Sequence, residues 1–155
     1  MRKALCGFED GEIAKGRDRL LLNGPTIFVN VGFDPNYDDS RRYEVPNLPT
    51  EVCALIDTGS IESCIDDSLA ISLGLPIADR RQIAGTNGNQ EVNMYIAQMH
   101  VPALYHVITG LFAGVRLQAG NPAFHQAILG RTFLRDFALT YDGVTGTVII
   151  ENPSA

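Results

Sequence analysis

The sequence predicts an all-β, closed barrel-like domain with one or two short helices. Two observations carry this. Short strand-like runs recur at close spacing, at 26–33, 51–56, 77–84 and 91–101, with Gly, Pro, Asn or Asp near their ends. Fifteen glycines and eight prolines punctuate the 155 residues, which leaves room for few long helices. The length suits one domain around one core.

Residues 1–24 show no clean hydrophobic period and are expected to form an N-terminal arm. Leu20-Leu21-Leu22 is the stretch there able to dock on the body. The domain proper is expected over 25–155. Thr26-Ile27-Phe28-Val29-Asn30-Val31-Gly32-Phe33 reads as the first strand. Residues 34–49 hold three prolines among Asp, Asn, Ser and Arg and read as a surface excursion. The next strand, 51–56, ends at Asp57, and 61–65 reads as its return. Asp66 or Asp67 can cap a short helix carrying Leu69, Ala70 and Leu73 on one side. Gly74 suits the left-handed position after that helix, and Pro76 blocks its continuation. Asn87-Gly88 between two strand-like runs is a strong hairpin signal. Further strands are expected at about 104–109, 111–117 and 127–129. Phe133, Leu134 and Phe137 follow Gly130 with helical spacing. Residues 137–141 and 147–150 form a last hairpin across Asp142-Gly143-Val144-Thr145-Gly146.

Bulk properties narrow the function. A net charge of −6 argues against a nucleic-acid binder, which needs a basic face. The longest apolar window, 101–117, is broken by His106 and Arg116, so no membrane span is expected. The basic start meets Glu9 and Asp10 before any apolar core, which is unlike a secretory signal. Cys6, Cys53 and Cys64 are odd in number and lack zinc-type spacing, so reduced thiols in a cytoplasmic setting are expected. Cys53 and Cys64 flank the Asp57–Ser60 turn at equal distance. A disulfide between them is one reading, and two small core residues the commoner one. His100, His106 and His125 have no metal-ligand spacing and read as surface or core residues. Neither a metal nor another cofactor is implied.

The chemistry concentrates at Ala54-Leu55-Ile56-Asp57-Thr58-Gly59-Ser60. A carboxylate at the end of a buried strand is costly unless it is hydrogen-bonded, paired or used. Thr58 and Ser60 supply hydroxyls, and Gly59 lets the backbone turn close to the acid. An ordinary turn of the same residues is the competing reading. There is also an internal echo: an apolar strand, a glycine turn and a short helix occur at 54–73 and again at 127–137.

The 54–60 segment, with Ile65, Leu69-Ala70 and Leu73-Gly74-Leu75 after it, resembles the active-site segment of retropepsin-like aspartic proteases, bacterial members most of all. Ala127-Ile128-Leu129-Gly130-Arg131-Thr132-Phe133-Leu134 is similar to the family's apolar-apolar-Gly element and the helix behind it. The resemblance spans about 25–151. It implies pseudo-duplicated halves and a peptide or protein substrate. It also implies Asp57 as the catalytic acid, supported by Thr58, Gly59 and Ser60, with Ile128, Leu129 and Gly130 as the second glycine element. Gly85-Thr86-Asn87-Gly88 would be the tip of a flap over the substrate.

Peptide hydrolysis of this kind needs two carboxylates sharing a proton, and the sequence holds one Asp-Thr-Gly. A twofold homodimer with Asp57 from each chain is the economical solution. Thr58 would hydrogen-bond across the axis, and Ser60 would donate to the outer oxygen of Asp57. Thr147-Val148-Ile149-Ile150 is a strand able to join a sheet shared between chains, with the N-terminal arm as the alternative. Arg131 follows Gly130 as in retroviral relatives, but Ile61 stands where its acidic partner would be. The alternative function is a non-catalytic dimerisation or peptide-binding module that keeps the protease fold.

Overall fold

The computed structural model describes residues 2–41, 43–85, 88–117 and 125–153. Strand makes up 46% and helix 15% of it, so the all-β expectation holds. The strands are β1 (Lys3–Leu5), β2 (Thr26–Gly32), β3 (Thr50–Ile56), β4 (Cys64–Asp66), β5 (Ile77–Gly85), β6 (Gly88–Val101), β7 (His106–Val115), β8 (Ala127–Leu129), β9 (Ala138–Asp142) and β10 (Thr147–Glu151). The helices are α1 (Gly16–Asn23), α2 (Asp67–Ser72) and α3 (Arg131–Leu134), with a 3-10 turn at Pro102–Leu104.

The larger sheet runs β2-β3-β8-β4-β7-β6-β5. The distal half of β6 also pairs with β2, Asn30 facing His100 and Gly32 facing Gln98, which closes the sheet into a ring. The proximal half of β6 pairs with β5 instead. That hairpin therefore stands off the ring, and all of β5 but Ile83 is exposed. Inside the ring, Val29, Val31, Ala54, Ile65, Met99 and Leu129 are fully buried. Alternation sets this: in β3, Val52, Ala54 and Ile56 point inward while Cys53 and Leu55 are half-buried.

Several local expectations hold. Asp66 caps α2, its carboxylate accepting from the Leu69 N–H, and Gly74 follows with φ of 63°. Four details differ. First, residues 61–63 are not strand; β4 begins only at Cys64, because the chain after Asp57 must first cross over β8. Second, the two strands expected at 104–117 are one. Gly110 sits opposite Ala97 in an unbroken ladder, where its missing side chain leaves no gap in the pairing.

Third, the N-terminal arm is structured. β1 pairs with β10, Cys6 N–H donates to the Val148 carbonyl (2.8 Å), and Thr26 N–H donates to the Cys6 carbonyl (2.8 Å). Leu20 of α1 docks fully buried while Leu21 and Leu22 stay exposed. α1 stops at Gly24, which has φ of 71° and whose N–H donates back to the Leu20 carbonyl. Fourth, β10 lies between β1 and β9 of its own chain. Thr147–Ile150 therefore has a neighbour on both sides and no free edge within this chain.

Candidate active site

β3 and β8 run parallel, Ile56 beside Leu129, so Asp57 and Gly130 emerge side by side. β8 also pairs with β4 on its other flank. β3 and β4 are thus held apart by β8, and their connection, 57–63, arches over its end. This also separates Cys53 from Cys64; both thiols, like Cys6, are free.

The arch is fastened at both feet. Asp57 N–H donates to the Leu129 carbonyl (3.1 Å), Arg131 N–H to the Ser60 carbonyl (2.8 Å) and Thr132 N–H to the Ile61 carbonyl (3.0 Å). Beneath it, the buried Ser63 hydroxyl accepts from the Gly130 N–H (3.1 Å) and lies 3.1 Å from the Thr132 hydroxyl. Thr132 Oγ1 in turn accepts from the Ser63 N–H (3.2 Å). A side chain at Gly130 would collide with this arch, its Cβ lying 2.5 Å from the Glu62 carbonyl oxygen and 2.8 Å from that of Ser60. Glycine is there for close approach.

Asp57 is half-buried, and its Oδ1 accepts the Gly59 N–H (2.8 Å). One carboxylate oxygen is thereby oriented by the turn. Thr58 is exposed, and its carbonyl accepts from the Arg131 guanidinium (2.7 Å). Arg131 therefore braces the arch through a backbone carbonyl, not through an acidic side chain. The Ser60 hydroxyl donates to the Glu62 carbonyl (2.7 Å), not to Asp57. Ser60→Ala should then cost about 1 kcal/mol of stability for one lost hydrogen bond and leave the pH profile of any activity unchanged. A profile displaced towards higher pH would return Ser60 to the role of a donor to Asp57.

Asp57, Ser60 and Glu62 open onto a groove of about 550 Å³. Gln82, Ile83 and Ala84 of β5 line it too, with Cys64 and Ala113 buried beneath. Burial pushes the Cys64 thiol up to about 11, so it is a neutral apolar surface there. Gly85 pairs with Gly88, whose φ of 96° is a glycine conformation, at the end of the exposed hairpin. Thr86 and Asn87 lie outside the described residues. The structure therefore gathers Asp57, Gly59, Ser60 and the β5 arm that leads to Gly85 around one groove, with Gly130 buried beneath the arch. Ile128 and Leu129 lie in β8 behind it.

Sequence reasoning missed Ser63, Thr132 and Gln82. Ser63 and Thr132 meet although they are 69 positions apart in the chain, and a hydroxyl just before a strand or at a helix start carries no pattern that announces such a partner. The histidines stand elsewhere. Burial lowers His100, His106 and His125 below the usual imidazole range, with Asp136 partly opposing this at His106. His125 Nε2 lies 2.7 Å from the Thr26 hydroxyl. No group of three or more His, Cys, Asp or Glu able to hold a metal occurs among the described residues, and no described helix is long and apolar enough to cross a membrane.

No family model and no curated protein matches the sequence. Solved structures are similar in fold. The retropepsin-like aspartic protease from Rickettsia conorii is 14% identical with a TM-score of 0.46, over 96% of this chain and 89% of that one. EIAV protease, in complex with an inhibitor, is 22% identical with a TM-score of 0.44, over 72% and 86%. The protease of Simian Foamy Virus (mac) is 10% identical with a TM-score of 0.45, over 71% and 91%.

Proposed function

We propose that this chain is an aspartic endopeptidase of the retropepsin kind, active as a homodimer. The observation that carries the reading is the Asp57 carboxylate. It is fixed by the Gly59 N–H and braced against β8. It faces a groove whose other wall is a projecting, glycine-tipped hairpin. A turn serving structure alone has no need of the groove or the hairpin.

In this mechanism the Asp57 carboxylates of two chains share one proton, since like charges so close do not both ionise. The ionised one takes a proton from water, whose oxygen attacks the scissile carbonyl carbon. The protonated one gives its proton to the carbonyl oxygen, forming a tetrahedral diol. Collapse of the diol breaks the C–N bond, and the amine leaves with a proton returned through the pair. Thr58, exposed beside Asp57, is placed to hydrogen-bond across the axis. The β5–β6 hairpin closes over the peptide, and its backbone amides meet substrate carbonyls.

The test is mixing. If each chain supplies half a site, a roughly tenfold excess of folded Asp57→Asn protein draws wild-type chains into mixed dimers. Activity per wild-type chain should then fall by roughly a factor of ten. Specific activity should also fall on dilution through the dimer dissociation constant. A rate per chain that ignores both dilution and the excess would overturn the shared site. Turnover should peak on the acid side of neutrality, because the pair must keep one proton. A pH–rate profile with its optimum well above neutrality would count against a carboxylate pair.

A further inference from the structure

We infer that a cavity beside α3 binds a small organic cation of the choline kind, held between aromatic rings and carboxylates. The cavity, of about 320 Å³, forms where three parts of the chain meet. Tyr37 and Asp39 come from the excursion at 34–49, His106 from the start of β7, and Phe133 and Asp136 from α3 and the turn after it. Its volume is at the small end of the range for small-molecule sites. None of these five side chains has a part in the proposed peptidase mechanism, and the inference does not rest on proteolysis.

The walls are held in place before any ligand arrives. The buried Gln98 side chain of β6 accepts from the Asp34 N–H (2.6 Å) and donates to the Asp34 carbonyl (3.1 Å), which fastens the foot of the excursion. Tyr37 N–H donates to the same carbonyl (3.2 Å). On the other wall the His106 ring meets Phe133 and Phe137 edge-on, with centroids 5.9 Å and 5.1 Å away. A site built on fixed side chains loses little conformational freedom when it is filled.

The composition of the walls selects the ligand. Tyr37, His106 and Phe133 bring rings to the lining, and aromatic faces attract cations most strongly where water is partly excluded. Charge agrees. Asp39 and Asp136 stand against one guanidinium among the described lining residues, that of Arg135, which lies 4.0 Å from Asp136. Both titratable rings feel this negative field. Burial first, and then the charges of Asp39, Glu44 and Asp38, hold the Tyr37 phenol above its ordinary range. Burial lowers His106, with Asp136 opposing, so at neutral pH the imidazole adds no positive charge. The chain's net −6 acts in the same direction. An anion would meet repulsion here, and a neutral molecule would forgo both attractions.

The experiment titrates choline, its neutral carbon isostere neopentyl carbinol, and benzoate into isotope-labelled protein at neutral pH and follows the backbone amide signals. Choline should saturate with a Kd of about 1 mM, a scale open to so small a ligand. The largest shifts should fall at Tyr37, His106 and Thr132. Thr132 also lines the cavity, and its hydroxyl meets Ser63 beneath the Asp57 arch. Neopentyl carbinol, which has the shape without the charge, should bind roughly tenfold more weakly, and benzoate should not bind. Tyr37→Leu keeps an apolar side chain and removes the ring; Asp136→Asn keeps the size and removes the charge. Each should weaken choline by roughly three- to tenfold, with thermal melts showing that both remain folded. Equal affinity for choline and its isostere would make the cavity a merely apolar one and overturn the assignment. So would binding of benzoate in place of choline, no saturation by roughly 20 mM choline, shifts centred elsewhere in the chain, or variants that bind as wild type does. If either variant fails to fold, the comparison of choline with its isostere on wild type decides.

Discussion

Asp57→Asn is expected to lower the rate of peptide cleavage by roughly 10³-fold or more, the range in which loss of a general base sits. Its fold should survive. The amide is the same size as the carboxylate, and its oxygen can still accept the Gly59 N–H that Oδ1 accepts now. Asp57 is only half-buried, so replacing it leaves no deeply buried group without a partner, and stability should change by no more than about 1 kcal/mol. The measurement is cleavage of an unstructured protein substrate at several pH values, with thermal melts of both forms. A well-folded Asp57→Asn protein that still cleaves at the wild-type rate would remove Asp57 from the chemistry. A wild type that binds peptide in the groove but never cleaves it would favour the non-catalytic module.

Gly130→Ala is expected to disable the site without touching a reacting atom. The new Cβ would lie 2.5 Å and 2.8 Å from two carbonyl oxygens of the arch. Neither is the end of a flexible side chain, and the Ser60 carbonyl is already held by the Arg131 N–H. The arch must therefore lift from β8. Overpacking of this kind costs about 1–3 kcal/mol, which at this chain length is roughly 2–4 °C of melting temperature per kcal/mol. Activity should suffer more than stability, because Asp57 is the first residue of the arch and a displacement of about 1 Å can cost roughly 10²-fold. Gly110→Ala is the control: nothing lies within 4 Å of a Cβ there, and it should melt and cleave as wild type does. Equal behaviour of the two variants would mean the arch is not seated as described.

The residues of the proposed site were legible because their signals are local. An acid closing an apolar strand, a glycine two positions on and an Asn-Gly between strand-like runs each express a constraint on neighbouring backbone. So do the Asp66 cap and the left-handed Gly74. The all-β class follows from many such short signals in series. Where the local signal was ambiguous, the reading slipped: Gly110 resembles a strand break and is not one, and the N-terminal arm has no period although Leu20 and Cys6 are buried.

Long-range pairing decided the rest. That β8 threads between β3 and β4 is a matter of partners some seventy positions apart, and it separates Cys53 from Cys64, delays β4 and makes Gly130 obligatory. The destination of the Ser60 hydroxyl turns on which acceptor the arch brings within 3 Å, and Asp57 and the Glu62 carbonyl are equally plausible by spacing. Thr147–Ile150 has the composition of a shared strand, yet β1 occupies its free side. Composition tells a strand from a helix through the conformational preference of each residue. Which edge is left open depends on which other strand arrives first in space, and that is a property of the whole chain.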